Sequence, residues 1–150
     1  MTAESLFDPA GNQAMLARIQ KLRGDAKPQW GKMDAARMVA HGAVGLKLAM
    51  GDMKLKRVLI GLLFGRMAKK QLLRPEPFKR GLPTAREFRI QSTRGFETER
   101  AELVALVKRF AAGPSVLTKE AHPFFGELTT QEWDALQWKH LDHHLRQFGV

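Results

Sequence analysis

Leu128-Thr-Thr-Gln-Glu-Trp-Asp-Ala-Leu-Gln-Trp-Lys-His-Leu-Asp-His-His-Leu-Arg-Gln-Phe-Gly-Val150 reads as one amphipathic helix with both ends marked. Thr129 can accept from the free backbone donors of the first turn, and Glu132, three residues on, can reach back, so Thr-x-x-Glu forms a capping box. His144 and Arg146 sit in the last turns, and Gly149 falls just past the end. At about 100° per residue, Trp133, Leu136, Leu141 and Phe148 share one side, with His140 and His144 in its middle. Imidazoles facing a core must satisfy both ring nitrogens or lose about 1–3 kcal/mol for each group left unpaired. Two of them one turn apart aim their nitrogens at a common point, which is the His-x-x-x-His geometry of a metal site on a helix. The competing reading is a pair of core histidines satisfied by backbone or carboxylate.

Working back from this helix, the chain resolves into an all-α pattern. Asp8 and Pro9 suit the cap and first position of a first helix carrying Met15, Leu16, Ile19 and Leu22, ended by Gly24. The loop from Asp25 to Met33 holds Trp30, which either lids the core or walls a pocket. Asp34 caps a second helix, about Ala35 to Met50, with Met38, Val39, Leu46 and Leu48 as apolar surface. His41 lies on this helix, flanked by Gly42 and Gly45. Glycine costs up to about 1 kcal/mol in a helix interior, and here it leaves room for another helix, a metal or a ligand beside His41.

A further helix is expected within Lys54 to Leu72, weakened by Gly61 and Gly65. Pro75, Pro77, Gly81 and Pro83 then make an extended connection, and Phe88 and Ile90 suggest a short extended piece. Another helix runs from about Phe96 to Ala112 with Leu103, Val104, Val107 and Phe110 as its stripe, stopped by Gly113-Pro114. His122-Pro-Phe-Phe-Gly126 makes a rigid aromatic turn. Its histidine is read first as structural, and secondly as a group that could bond a ligand or a metal-bound imidazole. The expected plan is a single domain, residues 1–150: four principal helices with long crossovers and one basic helix inserted between the second and third.

Composition narrows the chemistry. The chain has 150 residues and no cysteine, which excludes disulfides, thiolate metal sites and a cysteine nucleophile, so any metal must be held by nitrogen and oxygen. With no signal-peptide pattern and no apolar run near the roughly 20 residues that span a bilayer, a cytoplasmic location is expected. The net charge is +10, and residues 53–80 contribute most of it, with nine basic residues against Glu76 alone. Such a segment reads as a helix docked with its charges in solvent, or else as a contact for an anionic membrane or for nucleic acid. It lacks the interleaved aromatics of a nucleic-acid surface. There is no Gly-rich phosphate loop and no nucleophile elbow.

Helical bundles build metal sites from inward side chains on facing helices. His41 on the second helix, with His140 and His144 on the last, would supply three nitrogens and leave a position open, as in reactive rather than structural zinc sites. Nickel, copper or iron could occupy the same donors. His143 lies about 60° from the middle of the pair; as an i, i+3 partner of His140 it is the lesser alternative to His144. Asp142 is expected on the outward side, away from the metal. Trp30, Gly45, His122 and His143 are candidate pocket residues.

His122-Pro-Phe-Phe-Gly-Glu-Leu-Thr129, then Trp133, then Lys139-His-Leu-Asp-His-His-Leu-Arg-Gln-Phe-Gly149 resembles a domain family of unknown function within the DinB-like superfamily. Trp30-Gly-Lys-Met33 followed by Ala40-His41, and Gly81-Leu-Pro-Thr84 followed by Glu87-Phe88, resemble it too, so the likeness covers nearly the whole chain. It implies a four-helix bundle with a divalent metal, zinc or nickel foremost, on one histidine of the second helix and a His-x-x-x-His pair of the fourth. Those roles fall on His41, His140 and His144. Some relatives are metal-dependent thiol transferases or isomerases. The resemblance therefore implies a transferase using a low-molecular-weight thiol. A metal-dependent hydrolase, or a non-enzymatic binding module acting through residues 53–80, is the alternative. A homodimer is compatible with the sequence. No catalytic base is identifiable; Asp52, Glu120 and Glu127 are only near the motifs in sequence.

Overall fold

Residues 4–82 and 84–150 are described by the structure, a computed structural model. Pro83, part of the expected extended connection, and residues 1–3 lie outside them. Among the described residues there are five α-helices, two short 3₁₀ turns and no strand. The helices are α1 (Pro9–Lys21), α2 (Ala35–Ala49), α3 (Leu59–Lys69), α4 (Phe96–Phe110) and α5 (Thr130–Gln147).

Local signals start the helices where the sequence places them. The Asp8 carboxylate accepts from Gly11 N at 3.0 Å, with Pro9 in the first helical position. Asp34 accepts from Arg37 N at 2.8 Å. At α5 the capping box closes in both directions: Glu132 N donates to Thr129 Oγ1 at 3.1 Å, and Thr129 N donates to Glu132 Oε2 at 2.8 Å. Each satisfies backbone donors that a helix start leaves free.

Helix α2 packs on α4 and α5, and α1 packs on the same two. Their common core includes Met15, Ile19, Met38, Leu46, Leu103, Phe110, Leu141 and Leu145. Burying side chains of this size is worth about 1.5–3 kcal/mol each. The small residues of α2 let α5 come close. A Cβ added to Gly42 would stand 2.9 Å from a Leu141 methyl, closer than such atoms pack.

Helix α5 departs from the simple amphipathic reading. It is buried on nearly every side, because other segments wrap it and satisfy its polar residues. Asp134 accepts from Leu6 N at 2.8 Å and from the Ser5 hydroxyl at 2.5 Å, which ties the N-terminal segment down. Lys139 is buried, and its ammonium donates to the carbonyls of Gln71, Arg74 and Glu76. Asp142, expected outward, points away from the histidines but is buried, under Arg18 at 2.8 Å and Arg146 at 3.0 Å. Its neighbours on α1 and α5 supply the positive charge that makes this burial tolerable.

Two further expectations change. Phe88 closes a 3₁₀ turn, Arg86–Phe88, rather than opening an extended piece, and the backbone is extended at Arg89. The basic helix does dock, but by an unexpected face. Gly61 and Gly65 are buried, and a Cβ on either would collide with the Phe124 carbonyl oxygen, so bare backbone sits on the aromatic turn. Val58 N donates to Pro123 O at 2.9 Å, and Arg57 donates to His122 O at 2.8 Å. With the glycine stripe turned inward, the apolar side chains of α3 point to solvent: Leu59 is 80% exposed, Leu63 78% and Met67 65%.

A candidate metal centre

Helices α2 and α5 bring His41, His140 and His144 together: one ring nitrogen of each lies within 4.8 Å of the others. His41 Nε2 stands 2.8 Å from His140 Nε2, and the ring centroids of the three are 4.6 to 4.9 Å apart. The three residues are partly exposed rather than fully buried.

The outer nitrogens are held. His41 Nδ1 lies 3.2 Å from the Phe88 carbonyl, on the 3₁₀ turn, and His144 Nδ1 lies 2.8 Å from Gln147 Oε1. An oxygen acceptor at Nδ1 selects the tautomer that carries its proton there, which leaves the Nε2 lone pair free. Gln147 is itself fixed, donating from Nε2 to Trp30 O at 2.7 Å. Beside His140 is a third oxygen, Gln137 Oε1, which is buried and has no hydrogen-bond partner among the described residues. It and His140 Nδ1 meet over Gly45, at 2.8 Å and 3.1 Å from the place a Cβ would take.

Burial keeps these rings neutral. It pushes His41 below the ordinary imidazole value, with the nearby His143 adding to the effect against the Phe88 carbonyl. It drives His140 well below that value, aided by His41 and His144, and His144 down to about 3, aided by His41. Neutral imidazole is the form that binds a cation. A converging all-nitrogen donor set with two outer nitrogens seated on oxygens, and an orphaned oxygen beside the third ring, fits a divalent ion.

The other candidate residues sort themselves by position. Gly45 forms the floor under His140. His143 is outside the triad, and its ring stands against Trp30 at 5.5 Å, Phe78 at 6.3 Å and His144 at 5.0 Å between centroids. Arg80 lays its guanidinium 4.1 Å over the Trp30 ring, a cation–π contact. Trp30 therefore belongs to a rim with His143, Phe78 and Arg80. His122 is held in its turn: Nδ1 accepts from Phe124 N at 3.0 Å and Phe125 N at 3.2 Å, and its ring packs against Phe125, Phe88 and Trp133. It is the structural turn histidine of the first reading.

Sequence reasoning missed Gln137, Gln147 and the Phe88 carbonyl. For the glutamines a signal existed, since each lies three residues from a histidine on the same helix. For a backbone carbonyl there was none. Two of the three carboxylates near the motifs are engaged elsewhere, Asp52 with Arg109 at 2.5 Å and Glu120 with Lys54 at 2.6 Å, and none of the three joins the histidine cluster.

The family model described as "Protein of unknown function (DUF1569)" matches residues 2–149. The chain belongs to that family. No curated protein and no solved structure matches it. No helix among the described residues is long and apolar enough to cross a membrane.

Proposed function

We propose that residues 1–150 form a single DinB-like four-helix domain that holds one divalent cation, zinc or nickel, on His41, His140 and His144. Its reaction would be transfer of a low-molecular-weight thiol to an electrophile. The observation that carries this is the convergence of three neutral imidazoles, two with their outer nitrogens on oxygen acceptors. A cation in such a site lowers the pKa of a bound thiol, so that it is presented as thiolate at neutral pH.

The chain's own residues supply the rest. Gln147 and Phe88 orient two rings, and Gln137 is placed to accept from the third. Trp30 and Phe78 pack against His143, which stands beside His144, and the three would give the exposed side of the cluster an aromatic wall. Arg80 adds a fixed positive charge at that rim, suited to an anionic thiol or electrophile. Because the chain has no cysteine, the sulfur must come from outside. Transfer is favoured over hydrolysis because no carboxylate joins the histidine cluster among the described residues, and Asp142 is committed to Arg18 and Arg146.

The test is a panel of low-molecular-weight thiols against electrophiles, with untagged, metal-loaded protein. Thiol-dependent conjugate formation, lost in His140→Ala, is expected. Hydrolysis of the electrophile without thiol would overturn the transfer reading while leaving the metal centre intact.

A further inference from the structure

Helix α3 carries its apolar residues on the wrong side for a core. Gly61, Gly65 and Leu72 face the protein, while Leu59, Leu63 and Met67 form a stripe opposite, widened by Leu62 at 61% and Ile60 at 50% exposure. Spacings of four residues keep that stripe on one face. Arg66 and Lys70 lie on the same face, at its C-terminal end. Leu73 and Leu82, in the connection that follows, are also exposed.

Several of the charges in this segment have no acidic partner. Lys54, Arg57 and Lys69 are bound to Glu120, to His122 O and to Glu127 O and Glu132 respectively. Lys56, Arg66, Lys70, Arg74 and Lys79 have no ion pair among the described residues. Contiguous exposed apolar side chains are uncommon on a soluble surface without a partner. An apolar stripe bordered by free lysines and arginines matches an anionic lipid surface, where leucine and methionine enter the interface and the cations meet headgroups. A second copy of the chain fits less well. A two-fold contact over this face would bring together two strongly basic segments, with Glu76 the one acid in each.

We propose that α3 is an interfacial anchor: its glycine stripe binds the Phe124 turn while Leu59, Leu63 and Met67 insert into the surface of an anionic bilayer. This is independent of the metal centre, since none of these residues touches the histidines. The inward glycines explain why the helix can be held firmly while presenting its large side chains outward.

The test is co-sedimentation of the full chain with vesicles of phosphatidylcholine alone and of phosphatidylcholine with phosphatidylglycerol. Binding to the mixed vesicles, weakened by salt and much poorer on phosphatidylcholine, is expected. Leu63→Glu with Met67→Glu should abolish it. Arg66→Gln with Lys70→Gln should weaken it by on the order of tenfold or more. All four positions are exposed, and circular dichroism would confirm that the variants fold. Failure of the wild type to bind mixed vesicles overturns the proposal, as does full binding by the Leu63→Glu, Met67→Glu variant. Self-association abolished by that variant, without vesicle binding, would assign the face to a second copy instead. Retention on heparin without vesicle binding would assign it to a soluble polyanion.

Discussion

His41 Nε2 and His140 Nε2 stand 2.8 Å apart although ninety-nine residues separate them in the chain. Two neutral rings can share that distance only if one donates. With His41 Nδ1 committed to Phe88 O, the donor must be His140, which then turns an acceptor nitrogen toward the side of its ring where the unpaired Gln137 oxygen lies. A cation held by these rings would remove the conflict, because both Nε2 atoms would then offer lone pairs and His140 could carry its proton on Nδ1.

Metal content follows directly. Untagged protein should contain close to one divalent ion per chain by elemental analysis. His140→Ala and His144→Ala should lose it, and His41→Ala should bind it more weakly. Chelation should lower the unfolding midpoint; a ligand at about a thousandfold over its dissociation constant contributes about 4 kcal/mol. A metal-free protein whose midpoint ignores both zinc and nickel would exclude the centre.

Gln137 separates a positioning role from a merely structural one. Gln137→Met removes a buried acceptor that has no partner, so the metal-free protein should be unchanged or gain about 1 kcal/mol. Metal affinity should nevertheless fall, by about 10- to 100-fold. Denaturant titrations with and without metal measure both quantities. Equal affinity in the two proteins would remove Gln137 from the site.

His122 makes stability fall in acid. Burial, with Arg57 nearby, holds its pKa at about 4 in the folded chain, against an ordinary 6.5. The unfolded chain therefore takes up a proton that the folded chain refuses. Above pH 6.5 nothing is lost; between 6.5 and about 4 stability declines, by about 3 kcal/mol for this residue. His122→Asn keeps an acceptor for the Phe124 and Phe125 amides but cannot titrate. Its urea-unfolding free energy should show a shallower fall across that window than the wild type's.

Gly61→Ala and Gly65→Ala oppose local propensity to packing. Alanine favours an isolated helix by about 1 kcal/mol, but each Cβ would collide with the Phe124 carbonyl oxygen. Hydrogen exchange should therefore speed up across residues 57–72 while α2 and α5 stay protected, because the core helices do not depend on α3. Unchanged exchange in that segment would mean the aromatic turn yields at little cost.

Helix starts and the histidine triad were legible because each depends on residues close in sequence or on one helical period: Asp8, Asp34 and Thr129 at caps, His140 and His144 one turn apart, Gly42 and Gly45 beside His41. What could not be read involves the path of distant segments. Asp142 and Lys139 look like surface residues until Arg18 and the carbonyls of 71–76 are brought over them. The outward face of α3 was equally hidden, since an apolar run bracketed by cations predicts a docked helix, and only the collision of Gly61 and Gly65 with Phe124 decides which side is inward. Phe88 was assigned to an extended piece rather than to the 3₁₀ turn because two alternating apolar positions are too few to distinguish a strand from a turn.

Lys139 sits immediately before His140, and its ammonium grips the chain between Gln71 and Glu76, just ahead of Phe78 and Arg80. A single turn of α5 thus carries both a histidine of the candidate metal centre and the residue that holds the segment leading to its rim. Neutralising that amine, by Lys139→Met or by acetylation, would let the entrance drift while every donor atom stayed in place, so that substrate selectivity could change in a protein whose bound ion had not.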